Sequence, residues 1–290
     1  MSPVARLLAF AAVLALAFGG AAFAGSRIDV RPGERTAERP DTHGMGAADA
    51  ENEGGHGGEA APQAVRGLAV SDGGLTLELP RTTAQPGKRF DLAFRVVDRD
   101  GRTVRDFDVE HSKRMHVIVV RRDMTGFQHV HPTQRADGTW TVPVTLREAG
   151  GYRVFADFSV AGKAYTLADD LTVDGTVLSQ PLPAPADSVN VDGMRVTLSE
   201  GARRAGAEAE LGFEVTQDGK PVPVQDYLGA KGHLVALRQG DLAFLHVHPD
   251  EHSLQFMATF PSAGKYRLFL QFKTTDGRVR TAAFTQEVSR

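Results

Sequence analysis

Two groups of three histidines recur in the sequence with the same spacing. The first is His116, His129 and His131, and the second is His233, His246 and His248. Both groups read His-x12-His-x-His-Pro. Neutral imidazole nitrogens bind copper, zinc and nickel ions in proteins. The chemistry that this pattern predicts is therefore the coordination of a transition-metal ion by histidine.

A β-hairpin would bring each group of three histidines together. Gly240-Asp241 is typical of a two-residue hairpin turn, and pairing about it sets His233 opposite His248 and Val235 opposite His246. Side chains directly opposite each other share one face of the sheet, with Cβ atoms about 5 Å apart. The spacing thus predicts that the three imidazoles converge.

The first copy predicts the same pairing, with His116 opposite His131 and His129 beside them. A bulge in its longer turn, residues 122–126, would shift that register by one residue.

Loops next to these strands offer further ligands that the other copy lacks. Glu110 and His111 precede the first strand, and Asp250 and His252 follow the second hairpin. A water molecule is the alternative fourth ligand. Met115 and Met124 could add affinity for Cu(I), although a single methionine is more often a core residue. The affinity order of divalent ions favours copper, with zinc as the other candidate ion.

A structural role for the histidines is the alternative hypothesis. They share their sheet face with apolar residues such as Ile118, Phe127, Val235 and Phe244. A histidine at the rim of a sandwich core often only bonds to a loop carbonyl. In that case the protein is a structural or interaction module of the cell envelope, with a protein partner that the sequence does not identify.

A metal-dependent enzyme is the third hypothesis, since three histidines and a water also form a catalytic site. The chain has no G-x-S-x-G or H-E-x-x-H motif, and no acid–base pair stands beside the histidines. We therefore predict a protein without catalytic residues.

The elements that must position the histidines are short strands separated by turn residues. Seven or so strands in about 100 residues predict an antiparallel immunoglobulin-like sandwich. The second half repeats the first, with Tyr266, Phe269 and Phe272 spaced as Tyr152, Phe155 and Phe158 are. We predict an all-β protein of two tandem sandwich modules, residues 66–175 and 189–290, joined by a proline-rich linker, residues 176–188.

The N-terminal part has the pattern of a secretory signal. Arg6 precedes an apolar run of residues 7–18, and Ala22-Phe23-Ala24 forms a small-x-small cleavage site. We predict a signal peptide over residues 1–24 and a disordered segment over 25–65. The apolar run is short for a membrane span, so the protein would contact the membrane only if the signal stays uncleaved. In both cases the modules are expected outside the cytoplasm.

Composition narrows the function classes. The 290 residues contain no cysteine, so disulfides, thiolate ligands and thiolate nucleophiles are excluded. A formal net charge of −3 gives no electrostatic footprint for nucleic acid.

The histidine hairpin in a cysteine-free module behind a signal sequence resembles secreted bacterial proteins with YtkA-like, immunoglobulin-type domains. It is more loosely similar to small periplasmic copper proteins of the CopC kind. The resemblance covers residues 68–173 and 189–288 and implies the fold and an extracytoplasmic location more than a function. CopC-like proteins use an N-terminal histidine as a ligand. The expected mature terminus here is Gly25-Ser26-Arg27, so that ligand is not carried over.

Overall fold

The protein is all-β and consists of two tandem immunoglobulin-like sandwich modules, as predicted. The computed structural model describes residues 65–201, 204–245 and 247–290, and every regular element in these ranges is a strand. The signal peptide predicted for residues 1–24, most of the segment 25–65 and His246 lie outside the described residues. Within the described part of the chain, no helix is long and apolar enough to cross a bilayer.

The first module contains ten strands in two sheets. They are β1 (Ser71–Asp72), β2 (Leu75–Glu78), β3 (Thr83–Ala84), β4 (Arg89–Val97), β5 (His116–Arg121), β6 (Gln128–Val130), β7 (Thr133–Gln134), β8 (Trp140–Thr145), β9 (Gly150–Val160) and β10 (Lys163–Val173). One sheet has the order β1-β2-β4-β8-β7 and the other β3-β10-β9-β5-β6. Their facing sides enclose a core of alternating apolar residues such as Leu92, Phe94, Trp140 and Val154.

The second module repeats this arrangement. Its described strands are β11 (Ser188–Val191), β12 (Met194–Glu200), β13 (Glu208–Gln217), β14 (Lys220–Pro221), β15 (Val224–Gln225), β16 (Gly232–Arg238), β17 (Phe244–Leu245), β18 (His248–Pro249), β19 (Gln255–Thr259), β20 (Gly264–Thr274) and β21 (Val279–Val288). One sheet has the order β11-β12-β13-β19-β18, with β14 on β13, and the other β15-β20-β16-β17, with β21 on β20. Phe213, Phe256, Phe272 and Phe284 lie in its core.

Both modules carry the tyrosine corner that is typical of immunoglobulin-like sandwiches. The Tyr152 hydroxyl donates to the carbonyl oxygen of Glu148 at 2.9 Å, and that of Tyr266 donates to the carbonyl oxygen of Ser262 at 2.8 Å. Each tyrosine lies near the start of a long central strand, β9 or β20. The repeat seen in the sequence is therefore a repeat of the fold.

Next to their turns, the two histidine hairpins have the predicted registers. In the first, Ile118 lies opposite His129, so no bulge shifts the pairing. In the second, Leu237 lies opposite Phe244. The two-residue turn predicted at Gly240-Asp241 is wrong, however. The amide of Leu242 donates to the carbonyl oxygen of Arg238, which makes a four-residue loop with the same register.

Strands β5 and β16 are buried on both faces. One face of each strand points into its own module, and the other packs against the neighbouring module in a third apolar core. We call this third core the interface core. Its buried members are Ile118, Val120, Met124, Phe155 and Ala168 from the first module, and Val235, Leu237, Leu242, Phe244 and Phe269 from the second. An antiparallel sheet commonly leaves one face in water, so the apolar outer faces require this packing.

The contacts across the interface core are reciprocal. Phe127 of the first module stacks on Phe269 of the second, with ring centroids 4.0 Å apart and an interplanar angle of 6°. Phe155 and Phe244, which occupy the equivalent positions with the modules exchanged, lie 5.5 Å apart. Such exchange is the property of a two-fold, isologous interface, here formed within one chain.

The segment before β1 is fixed in the same interface. The amide of Phe244 donates to the carbonyl oxygen of Arg66, and the amide of Gly67 donates to that of Thr166. Gly67 has φ +70°, and a Cβ there would lie 2.8 Å from both the Phe155 ring and the Cβ of Phe244. Only glycine fits this position without displacing the two rings.

We therefore expect Gly67→Ala to lower the free energy of unfolding by about 2 kcal/mol, from backbone strain together with overpacking. Gly87→Ala is the matched control, because Gly87 has φ +69° but nothing within 4 Å of an added Cβ. Urea unfolding of both variants measures the two costs. Equal losses would show that Gly67 is required only for its backbone conformation and not for packing.

Candidate metal centre

The first hairpin brings its three histidines together at the end away from its turn. His116 begins β5, His129 lies in β6, and His131 follows β6 directly. Nδ1 of His116 lies 3.1 Å from Nε2 of His129 and 3.2 Å from Nε2 of His131. The ligand nitrogens of all three lie within 4.8 Å of one another. We call these three residues the histidine cluster.

Two hydrogen bonds fix which ring nitrogens carry protons. Nε2 of His116 donates to the carbonyl oxygen of Glu110 at 3.3 Å, which leaves its Nδ1 as a lone pair when the ring is neutral. Nδ1 of His129 donates to Oε1 of Gln271 at 2.7 Å, which leaves its Nε2 as a lone pair. These two lone-pair nitrogens face each other. Histidines that bind metals characteristically donate their second N–H to a carbonyl, a carboxylate or a water in this way.

His116 and His129 of the cluster line one wall of a cleft between the modules, and His233 of the second module stands on the opposite side. The His233 ring centroid lies 6.3 Å from that of His116 and 6.1 Å from that of His129. Nε2 of His233 donates to the carbonyl oxygen of Tyr227 at 2.9 Å, as His116 does to Glu110 in the equivalent turn. The cleft has a volume of about 60 Å³, which is enough for a few water molecules or a small ion.

The turn that precedes β5 is strained beside the cleft. His111 and Ser112 have φ values of 46° and 64°, a left-handed conformation that costs side-chain-bearing residues energy. The same positions in the second module are Leu228 and Gly229. The turn sets the exposed His111 ring 5.5 Å from that of His233 and 6.4 Å from that of His116. Glu110 lines the cleft too, and its carboxylate accepts a hydrogen bond from the hydroxyl of Ser159.

Burial keeps these histidines neutral. It lowers the pKa of His131 to about 3 and that of His233 to about 4, helped in both by the neighbouring imidazole of His116. Burial also lowers the pKa of His116, and that of His129 lies well below its ordinary value because His116 and His131 add to the effect of burial. His116 and His233 are each only 8% exposed. A neutral imidazole is the form that binds a metal ion.

Two histidines of the second group, His233 and His248, lie in strands of different sheets. His233 faces the first-module cluster across the cleft. The predicted pairing of His248 with His233 is wrong, because β18 leaves the β16 sheet and pairs with β19, where His248 lies opposite Met257. Pro249 is compatible with this edge strand, since an edge strand tolerates the missing amide. His246 lies outside the described residues, so a second cluster stays a prediction.

Several flanking residues that the sequence suggested do not reach the cleft. Met115 points into the core of the first module, and Met124 lies in the interface core at the other end of the hairpin. Asp250 accepts hydrogen bonds from the amide of His252 and the hydroxyl of Ser253, and the exposed His252 lines a separate groove. Glu110 and His111 remain beside the cluster.

Sequence reasoning missed Gln271, which orients His129 from the other module. Its only signal in the sequence was its position in the repeat, two residues after Phe269. In the structure, Gln271 in β20 lies directly opposite His233.

Residues 69–175 and 189–290 both match one protein family, described as a domain of unknown function (DUF8832). The chain belongs to this family. No curated protein matches it.

Similar solved structures include the Escherichia coli adhesin FdeC, at 14% identity and TM-score 0.25 over 77% of this chain and 66% of that one. The Yersinia pseudotuberculosis adhesin InvE is 12% identical, with TM-score 0.25, over 75% of this chain and 60% of that one. The fibronectin(III)-like modules of Clostridium thermocellum CbhA are 11% identical, with TM-score 0.22, over 74% of this chain and 92% of that one. The chain thus spans less than two thirds of the length of the two adhesin structures. These likenesses concern the fold alone.

We expect the metal-free protein to lose stability as the pH falls below about 6.5. The folded state keeps His131 and His233 neutral down to pKa values of about 3 and 4, whereas the unfolded chain takes up protons from their ordinary value of 6.5. The unfolded state then binds more protons, so each such histidine removes about 1 kcal/mol of stability by a pH of about 5.5. Urea unfolding in the presence of a chelator at several pH values measures this loss.

His131→Gln should flatten the pH dependence, because it removes a histidine whose pKa is lowered to about 3 in the folded state. An unchanged slope in His131→Gln would contradict the assignment of a depressed pKa to His131.

Proposed function

We propose that the protein is an extracytoplasmic metal-binding protein whose histidine cluster holds one transition-metal ion, with copper as the favoured ion and zinc as the other candidate. His116, His129 and His131 are the proposed ligands. His111, Glu110 or a water molecule would complete the coordination sphere. The role is binding rather than catalysis.

The observation that carries this proposal is the contact between two unprotonated nitrogens. Nδ1 of His116 and Nε2 of His129 lie 3.1 Å apart, and the N–H group of each ring is already used elsewhere. The N–H group of His131 can donate a hydrogen bond to Nδ1 of His116. The lone pair on Nε2 of His129 still faces that same Nδ1 atom. Burial disfavours an added proton, since it lowers the pKa of all three rings. A metal cation between the nitrogens removes the repulsion.

The distances agree with those between two ligands of one ion. For a metal–nitrogen bond of about 2.0 Å, neighbouring ligands lie about 2.8 Å apart in square-planar geometry and about 3.3 Å apart in tetrahedral geometry. The two short distances in the cluster, 3.1 and 3.2 Å, fall between these values. Imidazole ligands without thiolate suit Cu(II) and Zn(II), and the divalent affinity order favours copper.

The second candidate is a secreted or envelope interaction module with structural histidines. The bonds from His116 and His233 to turn carbonyls favour it, because both rings have hydrogen-bond partners without an ion. Two adhesins have a similar fold, and the likeness to them concerns the fold alone. The extracytoplasmic location rests on the signal pattern of residues 1–24. The resemblance to YtkA-like and CopC-like proteins rests on the histidine hairpins.

We expect protein purified without an affinity tag to contain copper or zinc, or to bind one equivalent of Cu(II) or Zn(II) at the histidine cluster. His129→Ala combined with His131→Ala should remove that equivalent, because only His116 of the proposed ligands remains. Elemental analysis measures the bound metal, and a spectroscopic titration measures the binding.

His252→Ala is the matched control for this experiment. His252 is exposed and lies outside the cleft, so its loss should leave the stoichiometry unchanged. A native protein that binds neither ion would reject the metal site in favour of structural histidines.

A further inference from the structure

We propose that the metal centre belongs to both modules, with Gln271 of the second module as the positioning residue for His129. Metal binding and the docking of the two modules then stabilise each other. This inference rests on the proposed function, because it specifies how the same site is assembled and regulated.

The first observation is the hydrogen bond between His129 and Gln271. The 2.7 Å bond is the only hydrogen bond to Nδ1 of His129 among the described residues, and it crosses from one module to the other. Gln271 is itself fixed, since it is 8% exposed and its amide nitrogen donates to the hydroxyl of Thr281 at 3.3 Å. The second module therefore decides which nitrogen of His129 faces the cluster.

The second observation is that this bond continues the apolar contact of the interface core. Phe127 lies two residues before His129, and Phe269 lies two residues before Gln271 on β20. The two phenylalanine rings stack at 4.0 Å. Separation of the sheets would therefore break the stack and the hydrogen bond to His129 together.

The third observation is that the cleft needs both modules as walls. The His233 ring lies within 6.3 Å of the centroids of His116 and His129, and Val235 and Phe244 of the second module line the same cleft. Without the second module, water would reach the histidines and their burial would be lost.

Thermodynamic linkage follows from these three observations. An ion that binds the docked arrangement more tightly than the separated one must shift the equilibrium towards docking. By reciprocity, docking must raise the affinity for the ion by the same factor by which the ion favours docking, so a change that populates the undocked state lowers the apparent metal affinity. The two modules would thus be joined by their linker, by the interface core and by the bound ion.

Gln271→Leu in the full-length chain tests the positioning role. Loss of the acceptor should lower the affinity for Zn(II) or Cu(II) by roughly tenfold to a hundredfold, the range found for partners that orient metal ligands. Gln271→Glu keeps an acceptor oxygen at the same place and should restore binding close to the native affinity. A merely structural side chain would not show this rescue.

Phe269→Leu tests the linkage to docking, because it removes the stack with Phe127 and leaves every histidine and Gln271 in place. We expect a several-fold lower metal affinity. Phe213→Leu is the matched control, since Phe213 lies in the internal core of the second module. It should lower stability without changing the affinity.

The outcomes separate the two proposals. If the native chain binds the metal and both Gln271→Leu and Phe269→Leu bind it equally well, the shared centre is overturned while the proposed function stands. If the native chain binds neither Zn(II) nor Cu(II), the proposed function fails and the shared centre fails with it.

Discussion

The packing of two apolar sheet faces against each other is the constraint on which the rest of the structure depends. In each module the outer face of one sheet carries residues such as Ile118 and Phe155, or Val235 and Phe269, that a single sandwich would leave in water. Burying these faces against each other joins the modules. It also forms the cleft in which the histidines lie.

Burial in this interface determines the chemistry of the histidine cluster. An exposed group of three imidazoles would share protons with water and gain charge below its ordinary pKa. In the interface the rings stay neutral, and two of their N–H groups are taken by Glu110 and Gln271. The nitrogens that remain face one another, an arrangement that a cation stabilises and that neutral rings alone do not.

Repetition and divergence of the module both contribute to the site. The reciprocal contacts Phe127–Phe269 and Phe155–Phe244 follow from the repeat, because equivalent faces pack on each other. The cleft itself is asymmetric. Asp157 lies opposite His116 where Gln271 lies opposite His233, and the His111 side chain occupies the place of that of Leu228, with a positive φ at both positions. One interface can therefore hold a site that draws on the two modules unequally.

The sequence by itself determined the all-β fold, the tandem repeat and the hairpin registers next to the turns, because strand alternation and loop closure act over short distances. It also determined that His116, His129 and His131 share one sheet face. Only the tertiary structure decided what covers that face. Strand periodicity shows which apolar residues share a sheet face, but not whether that face packs inside its own module or against another one. The hypothesis that the histidines lie at the rim of a sandwich core therefore could not anticipate the interface between the modules. For the same reason Gln271, distant in sequence, was missed, and the pairing of His248 failed where the chain left one sheet for the other.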